Sequence, residues 1–69
     1  MNMKDMLLEV DAETFQLSTM NGLIFNVEPF DITICCTWTP TASIEIKKST
    51  NGIICINLEN HQKVRVTKI

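Results

Sequence analysis

Three cysteines, Cys35, Cys36 and Cys55, and one histidine, His61, are the residues of this 69-residue chain best suited to chemistry. A thiol becomes a nucleophile when a base takes its proton and a third group orients that base. A structural zinc site needs four ligands, usually in closely spaced pairs such as C-x-x-C. The sequence meets neither condition. Cys35 and Cys36 are adjacent, no C-x-x-C occurs, and His61 stands alone in "ENHQ". A disulfide from Cys55 to Cys35 or to Cys36 leaves one thiol over, so three free thiols in a reducing compartment is the simpler expectation.

Carboxylates come in close pairs, Asp11 with Glu13 and Glu28 with Asp31, as general acid–base catalysis would require. Both pairs fall in or near turn-like segments, where solvated charge is the ordinary role. No glycine-rich phosphate loop is present. A non-enzyme without cofactor or metal is therefore expected.

The elements that would position these residues read as strands. Asn21-Gly22 and Asn51-Gly52 each separate runs rich in apolar and β-branched residues, the signature of a hairpin with a type I′ turn. Phe15, Leu17 and Thr19 alternate with Gln16 and Ser18, Leu23, Phe25 and Val27 with Ile24 and Asn26, Ile44 and Ile46 with Glu45 and Lys47, and Ile54, Ile56 and Leu58 with Cys55 and Asn57. In "KVRVTKI", Val64 and Val66 alternate with Lys63, Arg65 and Thr67. Period two dominates, and no helical stripe is sustained.

On the same reading "FDITICCTW" is a strand, with Ile32, Ile34, Cys36 and Trp38 facing in and Asp31, Thr33, Cys35 and Thr37 facing out. Cys35 is then the one outward thiol, and a Cys35–His61 pair the one conceivable nucleophile and base. Pro40 turns the chain toward the next strand. Residues 4–10 fit either a first strand or a short helical turn.

Residues 1–69 are thus expected to form a single all-β domain. Its architecture would be a small SH3-like or OB-like barrel of five or six antiparallel strands in a meander. The expected core is Leu8, Phe15, Leu17, Phe25, Val27, Ile32, Ile34, Trp38, Ile44, Ile46, Ile54, Ile56, Leu58, Val64 and Val66. A chain of this length buries only about 60% of its unfolded surface, which leaves little support for a rigid active site.

The run "NGLIFNVEPFDITICCTWTPTASIEI", followed by "INLENHQKVRV", resembles a small bacterial β-domain family of unassigned function. That family's pattern is D-G-S-x-W-x-V, a central Asp, W-x-P-G-D-x-V-x-V, N-L and a closing V-x-A or V-x-V. Gly22, Phe25 and Val27 match its first part, Asp31 its central acid, and Trp38, Pro40, Ile44 and Ile46 its second motif. Asn57-Leu58 and then Val64 and Val66 match the rest. Thr41-Ala42 replaces the expected G-D, so a loop acid's role does not carry over. The resemblance spans roughly residues 20–67 and implies an all-β fold without an assigned activity.

Charge is unevenly spread. Residues 1–34 hold six acids (Asp5, Glu9, Asp11, Glu13, Glu28, Asp31) against Lys4. Residues 35–69 hold five bases (Lys47, Lys48, Lys63, Arg65, Lys68) against Glu45 and Glu59. The halves carry −5 and +3, which make up the net charge of −2. Such a split favours a charged partner or head-to-tail self-association.

Among functions, a non-catalytic protein-interaction or assembly module is expected, acting on a protein partner or on further copies of the chain. The candidate surface is Ile24, Ile53, Lys47, Lys63 and Arg65, with Ile69 also out of phase with the core. Single-stranded nucleic-acid binding is the alternative. Lys47, Lys63 and Arg65 would serve it, but the chain has no tyrosine, Phe15, Phe25 and Trp38 alternate inward, and the pI is near 5.1. The N-terminal stretch is interrupted by Glu9 and Asp11 before it could form a signal-peptide core, and no run has the length of a membrane span. A cytoplasmic location without membrane association is expected.

Overall fold

Period-two alternation becomes strand along most of the chain, in a computed structural model that describes residues 2–69. The strands are β1 (Asn2–Asp11), β2 (Gln16–Thr19), β3 (Ile24–Val27), β4 (Ser43–Ser49), β5 (Gly52–Asn57) and β6 (Lys63–Lys68). They pair antiparallel in the order β1-β2-β3-β6-β5-β4, and β4 pairs back onto β1 to close a barrel. The small all-β barrel expected from the sequence is therefore the fold, and residues 4–10 belong to a strand. The meander is interrupted once. β1–β3 and β4–β6 are each consecutive hairpins, joined by a 3-10 turn (Pro29–Asp31) and a single helical turn, α1 (Ile32–Cys35).

That crossover overturns the strand expected over "FDITICCTW". Pro29 fixes φ for an incoming helical turn and has no N–H to offer a ladder. Two bonds then dock the segment on β6: the Glu28 N–H donates to the Arg65 carbonyl at 3.0 Å, and the Arg65 N–H donates to Asp31 Oδ2 at 2.8 Å. At helical spacing Ile32, Cys35 and Trp38 fall on one face, and all three are buried. Cys35 therefore points in and Cys36 out, the reverse of the strand expectation. Ile34 is only half-buried against the core. Apolar residues in this segment recur at intervals of both two and three, so the sequence fits either period. Trp38 closes the barrel end, its Nε1 donating to Gln62 Oε1 at 2.7 Å across the β5–β6 loop.

Two other strands run in a different phase from the one expected. In β1, Leu7 pairs with Thr19 and Glu9 with Ser18, so Leu8 is an extra residue, a bulge that flips the alternation. Leu7 is buried in place of Leu8, which is exposed. In β5 the register is Ile44 with Asn57 and Ile46 with Cys55. Because Ile44 and Ile46 face inward, Cys55 and Asn57 must too. Ile54, Ile56 and Leu58 are left half-exposed on the outside.

The turns differ from the expectation as well. Gly22 has positive φ (87°) but Asn21 does not, and Gly22 N–H donates to the Thr19 carbonyl. This is the three-residue loop with glycine in the last position, not a type I′ pair. At the second hairpin Ser49 pairs with Gly52, which puts Thr50-Asn51 in the loop. Phe15, expected in the core, has φ 57° at the end of the β1–β2 turn and is exposed.

The Trp38–Gln62 bond yields the first prediction. Gln62→Ala leaves a buried indole N–H without its acceptor and lowers stability by about 1–2 kcal/mol. The check is a urea titration, in which the midpoint should drop while the slope stays unchanged.

Candidate functional site

The thiols come first, as the groups closest to chemistry. Cys35 and Cys55 have no solvent exposure, whereas Cys36 is exposed. Cys35 Sγ donates to the Ile32 carbonyl at 3.7 Å, the helical back-bond, and not to an imidazole. His61 sits exposed in the β5–β6 loop at φ 64°, its N–H bonded to the Asn57 carbonyl. The structure does not join Cys35 and His61.

Burial pushes the Cys35 thiol up to about 11, with Cys36 and Asp31 adding to the effect. Burial pushes Cys55 up to about 12, assisted by Cys35 and by the Asp5 carboxylate. A nucleophilic thiol needs the opposite displacement. Asp5 is itself buried: Oδ1 accepts the Met6 N–H at 2.7 Å, and Oδ2 has no hydrogen-bond partner among the described residues. A carboxylate beside a thiol in this setting holds the proton on sulfur. No group of metal-ligating side chains and no cavity occurs among the described residues.

The outer wall carries more. Residues paired across neighbouring strands share a face, so the registers spell out rows of side chains. Over β4, β5 and β6 one outward row is Lys47, Ile54, Arg65 and the next is Glu45, Ile56, Lys63. The first half of β1 extends these rows with Asn2 beside Lys47 and Lys4 beside Glu45. Two half-exposed isoleucines thus sit centrally on β5, framed by Lys4, Lys47, Lys63 and Arg65 with Glu45 as the one anion in the rows.

Over β1, β2 and β3 the outward rows are Asp11, Gln16, Asn26 and Glu9, Ser18, Ile24. Ile24 is 44% exposed, and Ile69, whose N–H donates to the Ile24 carbonyl, is 64% exposed. Glu13 is exposed in the β1–β2 turn, whereas Glu28, whose N–H bonds the Arg65 carbonyl, is exposed beside β6 next to Arg65. Phe30, two residues beyond Glu28, is 93% exposed. In the ring order β2 stands diametrically opposite β5. The acidic and basic faces are therefore on opposite sides of the barrel.

The structure divides the five surface residues singled out from sequence. Lys47, Lys63 and Arg65 come together on the β5 side, and Ile24 lies on the β2 side. Ile53 lies on neither face: it pairs with Val66 and packs against the core. Ile54 and Ile56 were missed because the sequence phase put them inside. The signal that could have found them is Asn57, which at the opposite phase completes the loop by accepting the Glu59 N–H on Oδ1 at 2.8 Å.

The thiol environments yield two further predictions. In the native protein a thiol-specific disulfide reagent should modify Cys36 promptly, with Cys35 and Cys55 reacting only as the protein unfolds. Both buried thiols hold their protons more tightly when folded than at the ordinary value of 9.0. The unfolded chain ionises first, so their contribution is full below about pH 9 and is lost as pH climbs toward 11 to 12. Urea midpoints across that range should show wild type losing about 2–4 kcal/mol more than the Cys35→Ala/Cys55→Ala variant.

No helix among the described residues is long and apolar enough to cross a membrane. No family model matches the chain, and no curated protein or solved structure matches it either.

Proposed function

We propose that this chain, a barrel of the SH3-like or OB-like kind working in the reducing cytoplasm, is a non-catalytic interaction module. It takes an acidic polypeptide on the outer face of β4, β5 and β6. The observation that carries this reading is the placement of Ile54 and Ile56 between Lys47 and Arg65 on one row and Glu45 and Lys63 on the next. Apolar centres ringed by charge are the usual layout of a protein contact, with the isoleucines giving affinity and the cations giving orientation and rate. Closure leaves only short edges without a strand partner, along the two halves of β1, for strand addition. Recognition through side chains on the wall is therefore favoured.

Single-stranded nucleic acid fits this face less well. Its binding modules stack bases on exposed aromatics set within a basic groove. Here Phe25 and Trp38 are buried and Phe15 lies in the β1–β2 turn; Phe30, exposed between the two residues that bond the Arg65 backbone, is the one aromatic near these rows and offers a single stacking platform.

Fluorescence anisotropy with a poly-glutamate peptide and an oligothymidylate of similar charge tests the reading. The peptide should bind, and Lys63→Ala/Arg65→Ala should weaken it by about tenfold or more, some 1.4 kcal/mol. Ile54→Ser should weaken it too, while leaving the salt dependence unchanged. Tighter binding of the oligothymidylate, with a steep salt slope carried by Lys63 and Arg65, would reverse the assignment.

A further inference from the structure

The geometry points to a second copy of this chain as the acidic partner, docked head to tail so that the β2 face of one barrel covers the β5 face of the next. This rests on the interaction-module reading and names the occupant of the same face. Charge complementarity within one molecule carries it. The β5 side presents Lys47, Lys63 and Arg65 around Ile54 and Ile56, and Lys4 extends it along β1. The β2 side presents Glu9 and Asp11 in its rows, Glu13 at its margin, and Ile24 with Ile69 as its apolar part. The β5 side is mainly cationic despite Glu45, the β2 side is anionic, and each has an isoleucine pair to desolvate, half-exposed on the first and exposed on the second.

Topology then determines the form of the assembly. An isologous dimer would set like against like, cation on cation or acid on acid, and repulsion opposes it. A heterologous contact between different faces is favoured, and such contacts close into rings or run on as open chains. Because β2 and β5 lie across the barrel from one another, each added copy leaves a free acidic face at one end and a free basic face at the other. The expected product is an open linear oligomer that grows with concentration, not a dimer that saturates.

Raising salt from about 0.01 M to about 1 M shortens the screening length from about 30 Å to about 3 Å, and should dissolve the assembly. Sedimentation velocity over a concentration series at the two salts is the experiment. At low salt the average mass should climb steadily above the 7.8 kDa of the monomer without a plateau at twice that value, and at high salt it should return there. Lys47→Glu/Arg65→Glu and Glu9→Lys/Asp11→Lys should each remain monomeric alone, and a one-to-one mixture should assemble again. Recovery on mixing excludes misfolding as the cause of either loss. Ile24→Ser, on an exposed position without charge, should weaken assembly by about tenfold at unchanged salt dependence.

A wild-type protein that stays monomeric at low salt, one that saturates as a dimer, or assembly indifferent to both charge reversals would overturn the inference. The two readings fail separately. A monomer that still binds poly-glutamate through Lys63 and Arg65 removes the second copy as partner but keeps the interaction face. A monomer that binds neither removes both.

Discussion

Barrel closure depends on one strand serving two neighbours. The first half of β1 pairs with β4 and the second half with β2, and the change of partner is made at Leu7. Leu7 donates its N–H to the Ala42 carbonyl at 2.9 Å, accepts the Thr41 N–H at 2.7 Å, and stands opposite Thr19 on the other side. Thr41 reaches its bond at φ 69°, a backbone position that costs a β-branched residue something and persists only where surroundings fix it. The bulge at Leu8 supplies the bend, as bulges do where a sheet must curl. Without it, β1 would keep its phase through Glu9 and drive that carboxylate into the interior. With it, Leu7 and Val10 face in, and Leu8 and Glu9 face out.

Closure also explains why so small an interior tolerates polar groups. Thr19 and Asn57 are buried beside their hairpin turns, and each uses its side chain there. Thr19 Oγ1 accepts the Leu23 N–H at 3.2 Å, and Asn57 Oδ1 accepts the Glu59 N–H. Asp5 satisfies one oxygen on the Met6 N–H and leaves the other without a partner. Buried polar atoms are tolerable when bonded and expensive when not, so Thr19 and Asn57 support the fold while Asp5 weighs against it. The paired inward row Asp5, Ile44, Asn57 puts that carboxylate near Cys55, where it strengthens the thiol's hold on its proton.

What the sequence made legible follows the same physics. The strands with a single clean alternation, around Phe25 and Val27, Ile44 and Ile46, and Val64 and Val66, are oriented as the sequence predicts. Strands apolar on both faces are not, because alternation cannot choose between Ile54-Ile56 and Cys55-Asn57 when both sets carry buryable groups. There the deciding information is register with β4, a tertiary relation. The crossover was hidden for a related reason. Ile32 and Trp38 are inward on either a two- or a three-residue period, so only Ile34 and the cysteines distinguish strand from helix; Ile34 keeps a partly buried place in both, and adjacent cysteines are interchangeable to a pattern. Of the candidate face, three of its four cations, Lys47, Lys63 and Arg65, were visible, and Lys4 and the isoleucines were not.

The charge split along the chain becomes a split in space only because of the topology. Each half of the chain forms three consecutive strands, so each half occupies a continuous arc of the wall. Had β4 inserted beside β2 or β3, acids and bases would alternate around the barrel and neutralise one another at short range. The crossover prevents this by carrying the chain from the end of β3 over to the start of β4, on the far side of β5. Its anchor is the Asp31 carboxylate on the Arg65 amide, a bond between the acidic half and the basic half. That contact uses one acid to hold the two arcs in place and leaves Glu9, Asp11 and Glu13 exposed on the β1–β2 half. A compositional bias is thereby converted into opposed faces, and with charges of opposite sign on opposite sides of the barrel the molecule is complementary to its own copies.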